Sequence, residues 1–281
     1  MSPRHQRTMM LDFVGLKAGA LGLAGPRMSF ERGGESGPPI LLLHGIGANS
    51  MGWAHILRGL APMARVVAWN APGYFLSDAF LADAPKPEAY AHVALALLDA
   101  LAMDGPVHVV GSSFGSMIAA CLAARQPHRI ATLTLLGTSR GQRWKTPEQR
   151  AAMLAMRAAS MAGGGVALAL GRAHALIAPG SPALPEVRRM VAATHASGLM
   201  QAARCTDAVD VVTDYAPSIR APTVCVTGAL DGVNPPEVGR AVARAISGAR
   251  YEEPPGIGHL PEMESPHFIL KLLQSQMKIN A

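Results

Sequence analysis

The chain has 281 residues, enough for one large domain or for a domain of about 200 residues carrying an insertion. Hydrophobic residues make up 49% and charged residues 16%, against roughly 25% charged in an average globular protein, which excludes intrinsic disorder for the bulk of the chain. The net charge of +6 is uneven: residues 140–205 hold nine cations and two anions, a net +7, and no Lys/Arg run interleaved with aromatics suggests a nucleic-acid binder.

Taken in chain order, short apolar runs alternate with Ala/Leu-rich stretches of helical spacing. Met28–Gly33 reads as a strand and Gly34–Pro39 as a turn. Ile40-Leu-Leu-Leu-His44 is a continuous apolar run, as a strand buried on both faces should be. Arg65–Trp69 is another strand. Glu88–Met103 is an amphipathic helix that stops before Gly105-Pro106. Val107–Gly111 is a strand, Phe114–Arg125 a helix and Ile130–Leu136 a strand. From Arg140 to about Cys205 the alternation breaks into an Ala/Met/Arg-rich helical stretch. Thr223–Gly228 resumes the sheet, Pro235–Ser247 is a helix, Arg250–Glu253 a last strand and Pro266–Met277 a closing helix. This order implies a mostly parallel twisted sheet with helices on both faces, interrupted by one helical insertion. The expected division is residues 1–139 and 206–281 as an α/β core, with 140–205 as a helical cap.

Several classes are set aside. The cysteines (Cys121, Cys205, Cys225) are odd in number and far apart, and the histidines show no HExxH spacing, so neither a disulfide framework nor a metal site is expected. No cofactor is called for. Gly105–Ala124 is uncharged and long enough to span a membrane, but His108 and the polar run GSSFGS sit inside it. It reads as strand, turn and helix. The basic start MSPRHQRT is followed by a stretch broken by Asp12 and Lys17, so no signal peptide and a cytoplasmic location are expected. Oligomeric state is silent in the sequence.

The chemistry lies in Gly111-Ser-Ser113-Phe-Gly115, which fits G-x-S-x-G where a strand meets a helix. A strained turn there lifts the Ser113 hydroxyl clear of the sheet and aims the Phe114 N–H at any oxyanion. In the order nucleophile, acid, histidine, two histidines follow the late strands. His259, in the loop Gly256-Ile-Gly-His-Leu-Pro, is favoured over His267, which opens the closing helix. Asp231 follows Thr223–Gly228 in a loop and is the expected orienting acid, although a helix-cap aspartate would look the same; Glu237 lies a turn further on. After Ile40–His44, the loop His44-Gly-Ile46-Gly brings the Ile46 N–H to complete an oxyanion hole with Phe114, while His44 orients that loop. Asn49, Ser50 and Trp53 line a pocket or serve plain loop and core roles. Trp144, in the insertion, is a further candidate substrate contact.

Together these features resemble the α/β-hydrolase superfamily over nearly the whole chain: HGIG at 44–47, NAPGYFLSD at 70–78, GSSFG at 111–115, GALD at 228–231 and GIGHLPEMESP at 256–266. Asn70 and Phe75 depart from the family's usual acid and glycine. The resemblance implies an α/β-hydrolase fold, with a cap inserted after the sixth strand. Within the superfamily the sequence looks like capped esterases, enol-lactonases and carbon–carbon bond hydrolases. Dehalogenases and most epoxide hydrolases carry Asp where Ser113 stands. The expected activity is hydrolysis of a carboxylic ester or lactone through an acyl-enzyme formed by Ser113, His259 and Asp231. The substrate is a small molecule, with a carboxylate suggested by the basic cap. The alternatives are carbon–carbon cleavage of aromatic ring-fission products and, from another class, a triad-containing ligand-binding protein.

Overall fold

The computed structural model describes residues 11–279. The basic start and the question of a leader peptide lie outside the described residues. The apolar stretch that follows is strand β1 (Leu11–Gly15), which the sequence reading missed; it pairs antiparallel with β2 (Arg27–Gly33). A single helical turn, α1 (Ala18–Leu21), joins them. Then come β3 (Pro39–Leu43), α2 (Ala54–Leu60), β4 (Arg65–Trp69) and α3 (Pro87–Ala100). They are followed by β5 (Val107–Ser112), α4 (Phe114–Arg125) and β6 (Ile130–Leu136). Helices α5 (Pro147–Ser160), α6 (Gly164–Arg172), α7 (Leu184–Ala192), α8 (Ala196–Asp207) and the short α9 (Val211–Asp214) intervene before β7 (Thr223–Val226). The chain closes with α10 (Pro236–Ala245), β8 (Arg250–Glu252), the turn α11 (Pro261–Glu264) and α12 (Pro266–Ile279).

The strand order is β1-β2-β4-β3-β5-β6-β7-β8. β1 and β2 are antiparallel to their neighbours and every later pairing is parallel. Because β3 pairs with both β4 and β5, the direction of chain progress across the sheet reverses there. A crevice opens at the carboxyl ends of strands at such a switch point. The loops after β3 and β5 both empty into it.

The apolar run of β3 works as its composition implies. Leu41 and Leu43 join a cluster on one sheet face with Val67, Trp69, Val109 and Phe114; Ile40 and Leu42 join the other with Val66, Ala68, Val110 and α12's Ile269. In α4 every residue from Phe114 to Ala123 is buried, so this helix is apolar all round. It packs against β5, β6 and α3.

The helical segment between β6 and β7 carries its own apolar cluster. Met161, Leu168, Val187 and Met190 meet Ala48, Leu260 and Met263 from the loops of the sheet's carboxyl edge. Its two ends are pinned together by Arg140, whose guanidinium makes two 2.8 Å hydrogen bonds to the Asp210 carboxylate. Helix α8 runs through residue 205, so the expected boundary there falls inside a continuous helix. Helix α5 begins with a reciprocal cap: Thr146 Oγ1 accepts from the Gln149 amide, and the Gln149 side chain accepts from the Thr146 amide. Among the described residues no single helix is long and apolar enough to cross a membrane.

Candidate active site

Ser113 sits between the last residue of β5 and the first of α4, with φ 53° and ψ −115°. A non-glycine residue rarely adopts such a conformation; the turn is held by the Ser113 N–H donating to Leu136 O at 2.8 Å and by Ser113 O accepting from Ser116 Oγ at 2.6 Å. The flanking glycines are required by close approach. A Cβ on Gly111 would lie 2.2 Å from Gly115 O, and one on Gly115 would lie 2.1 Å from Leu43 O. Gly45 abuts the elbow from the neighbouring loop, where a Cβ would meet Ser113 Cβ at 2.9 Å.

Two buried residues from the loops after β7 and β8 converge on Ser113. His259 Nε2 lies 2.9 Å from Ser113 Oγ, and His259 Nδ1 lies 2.8 Å from Asp231 Oδ2. An ionised carboxylate only accepts, so the Nδ1–H donates to Asp231, and Nε2 accepts from the Ser113 hydroxyl. Asp231 is itself held: its Oδ1 accepts from the amides of Val233 at 2.8 Å and Asn234 at 2.9 Å. The His259 loop is stapled by Glu264, which accepts from the Gly258 amide at 2.9 Å and from the Ala178 amide at 2.7 Å. His267 and Glu237 are exposed and take no part in this chain.

The loop after β3 is organised by His44. Its Nδ1–H donates to Gly45 O at 2.8 Å and its Nε2 accepts from the Ala71 amide at 3.0 Å. Burial pushes its pKa down to about 4, so the ring is neutral, as this pair of bonds demands. The amides of Ile46 and Phe114 donate to no protein acceptor among the described residues. Asn70, where the family has an acid, accepts from the Ser50 amide at 2.7 Å and donates to Ser29 Oγ at 3.0 Å. Phe75, where the family has glycine, takes a positive φ of 31°, and Leu76 follows at 69°.

The proposed substrate contacts separate. Asn49 is buried and occupied: its Oδ1 accepts from the Met51 amide and its Nδ2 donates to Met190 O at 3.1 Å, tying the β3 loop to α7. Trp53 is packed in the apolar cluster with Ile40, Leu42 and Val66, a core role. Trp144 is 43% exposed; its indole N–H donates to Gly141 O, and the cations of Arg140 and Lys145 lie 5.0 and 5.3 Å from its ring.

Sequence reasoning missed Glu262. This buried carboxyl accepts from Ser112 Oγ at 2.7 Å, beside the elbow. An acid in the run Leu260-Pro-Glu-Met gives no sign in sequence that it points inward. It also left unnamed any cap arginine that contacts substrate; Arg157 of α5 is half-buried and donates to Thr206 Oγ1 at 3.3 Å.

Residues 38–266 match the family model described as alpha/beta hydrolase fold. Among curated proteins, the chain is 32% identical over 133 residues to 2-hydroxy-6-oxononadienedioate/2-hydroxy-6-oxononatrienedioate hydrolase 1 of Dechloromonas aromatica (strain RCB), a match covering 46% of this chain and 45% of that protein. The matched region thus spans less than half the length of that relative. Among solved structures, a thermophilic esterase from Thermogutta terrifontis, with malate bound, superposes with a TM-score of 0.83 at 23% identity, covering 97% of this chain and 100% of that one. The enol-lactonase from Burkholderia xenovorans LB400 superposes with a TM-score of 0.83 at 24% identity, covering 95% and 100%. At these identities the two structures speak for the fold alone.

Proposed function

This chain belongs to the alpha/beta hydrolase fold family, and from that premise we propose that it is a serine hydrolase cleaving a carboxylic ester or lactone through an acyl-enzyme. The observation that carries the reading is the unbroken hydrogen-bond chain Asp231–His259–Ser113, with bonds of 2.8 and 2.9 Å, ending at a serine in a strained turn. Ser113 Oγ attacks the carbonyl carbon as its proton passes to His259 Nε2. Asp231 keeps the Nδ1–H tautomer in place and stabilises the imidazolium that forms. The negative charge on the carbonyl oxygen is received by the amides of Ile46 and Phe114. His259 then delivers its proton to the leaving oxygen and later takes one from the water that releases the acyl group.

A second reading, carbon–carbon bond hydrolysis, is favoured by the 32% identity to a 2-hydroxy-6-oxo-dienedioate hydrolase. The same three residues would serve, with His259 also helping to ketonise a dienol. The discriminating experiment offers purified protein a short-chain para-nitrophenyl ester, an enol-lactone and a ring-fission dienoate side by side. Ester or lactone turnover that disappears in Ser113→Ala supports the first reading, and turnover of the dienoate alone the second. Tight binding of any of them without turnover would make the protein a receptor.

A further inference from the structure

Nucleophile and base come from distant parts of the chain. Ser113 and His259 are 146 positions apart, and β5 and β8, which lead to them, are separated in the sheet by β6 and β7. No ladder bond therefore sets the distance between the two side chains. Their backbone ties point elsewhere. The Ser113 amide donates to Leu136 O at the end of β6, whereas the His259 amide donates to Leu176 O in the insertion at 3.1 Å. Outside the triad, the elbow and the histidine segment are joined through the Ser112 hydroxyl, which donates to Glu262 Oε1 at 2.7 Å.

The fold places this bond where it can act on His259. Ser112 ends β5 on the face of Val110, since residues two apart in a strand share a face. That face packs against α12, and α11, which carries Glu262, packs on α12 and α2. Glu262 lies three residues beyond His259, in a turn opened by Pro261 and closed by the Met263 and Glu264 amides, each donating to Leu260 O at 2.9 Å. A fixed proline φ and two backbone bonds make the connection short and stiff. Ser112 is 0% exposed and Glu262 4%, so water cannot replace either partner. Glu262 Oε2 is buried with no hydrogen-bond partner among the described residues, so Oε1 carries the fastening. Losing either group strands the other, buried and unsatisfied.

We propose that Ser112 and Glu262 are a positioning pair that holds His259 Nε2 in register with Ser113 Oγ. Glu262 serves as a hydrogen-bond acceptor, and neither residue is assigned a contact with substrate. This deepens the serine-hydrolase reading and rests on it. Proton transfer from Ser113 to His259 needs the two atoms within hydrogen-bond reach, and a displacement on the order of 1 Å is enough to slow it. Substrate contacts stay in place, so the loss falls on kcat and leaves KM nearly unchanged.

The test measures kcat and KM with a para-nitrophenyl ester for Ser112→Ala, Glu262→Met, the double variant and Glu262→Gln. Each of the first two should lower kcat about tenfold with KM changed less than about twofold. The double variant should lose no more than the weaker single, because both substitutions remove one bond. Glu262→Gln should keep kcat within about threefold of the wild type, since its amide oxygen still accepts from Ser112. Unchanged kcat in both single variants, losses that multiply in the double, or a Gln variant as impaired as the Met variant each overturn the pair. If Glu262→Met does not fold, as circular dichroism would show, Ser112→Ala and Glu262→Gln decide between them: loss in the first with retention in the second supports the pair, and any other combination overturns it. If the wild type hydrolyses no ester, lactone or dienoate, the serine-hydrolase reading fails, and the low-field proton NMR signal of His259 Nδ1–H judges positioning by itself. A signal that broadens in Ser112→Ala and persists in Glu262→Gln supports the pair, whereas one unchanged in Ser112→Ala refutes it.

Discussion

The Ser112 hydroxyl donates a 2.7 Å hydrogen bond to Glu262 Oε1, alongside the 2.9 Å contact between Ser113 and His259. Ser112 adjoins Ser113 in the chain, and Glu262 follows His259 by one short turn. Two neighbouring bonds therefore tie the elbow to the histidine loop. Glu262 Oε2 is buried without a partner. Burial pushes the Glu262 pKa up to about 7; the Ser112 bond and His259 favour its charged form, and Glu264 opposes it. A carboxyl whose folded pKa is raised contributes stability that is fully present below its unfolded value and is lost as pH rises through about 7. Glu262→Gln keeps an acceptor for Ser112 and removes the charge. Its thermal unfolding should therefore exceed that of the wild type at pH 8, by up to about 3 kcal/mol, and converge with it near pH 5. Equal differences at both pH values would show that the ionisation of Glu262 is irrelevant to stability.

Ser113→Ala should lower ester hydrolysis by about four or more orders of magnitude while the fold persists, since members of a triad act as a unit. Circular dichroism and para-nitrophenyl ester assays on the same preparation check both halves. Ser112→Ala, which removes only the bond to Glu262, should lose far less. Near wild-type turnover in Ser113→Ala would remove it as the nucleophile.

Asp231→Asn replaces one acceptor with an amide group. Oδ1 already serves the Val233 and Asn234 amides, so the side-chain NH2 of the variant would face His259. The ring is then driven to the tautomer in which Nε2 carries the proton and cannot accept from Ser113. Turnover should fall by up to roughly ten-thousand-fold with little change in KM. A loss below about tenfold would assign Asp231 to loop capping alone.

Leu76 holds a left-handed φ of 69° with its side chain 47% exposed, so it carries backbone strain with little packing to offset it. Leu76→Asn, which tolerates that conformation, should stabilise the protein by about 0.5–1 kcal/mol in chemical denaturation. An unchanged or lowered midpoint would mean that the exposed leucine contributes more than its strain costs.

Much of the site was legible in the sequence because its determinants are local. Gly111 and Gly115 mark places where backbone oxygen comes within 2.2 and 2.1 Å of where a Cβ would go, and only glycine leaves that room. The continuous apolar run of β3 announces a strand buried on both faces, and its alternate residues enter opposite core clusters. Ser113, Asp231 and His259 were named from loop positions after β5, β7 and β8, and in a parallel sheet all such loops open at one edge, so sequence order translates into proximity. The same reasoning failed wherever orientation is set by distant partners. β1 was missed because its few residues alternate weakly and are ordered by pairing with β2. Trp53 reads equally as pocket or core until the strands beneath it are in place. Glu262 is an ordinary acid by composition and becomes a buried group through Ser112, 150 positions away. A count of charges showed that the insertion is basic; which cations lack a counter-charge depended on Asp83 and Asp210, residues outside it. The glycine-bounded turns and the alternation of strands and helices are local properties of a chain, and the sequence determined them. Side-chain burial and charge pairing are long-range properties, decided only when the tertiary structure brings distant residues together.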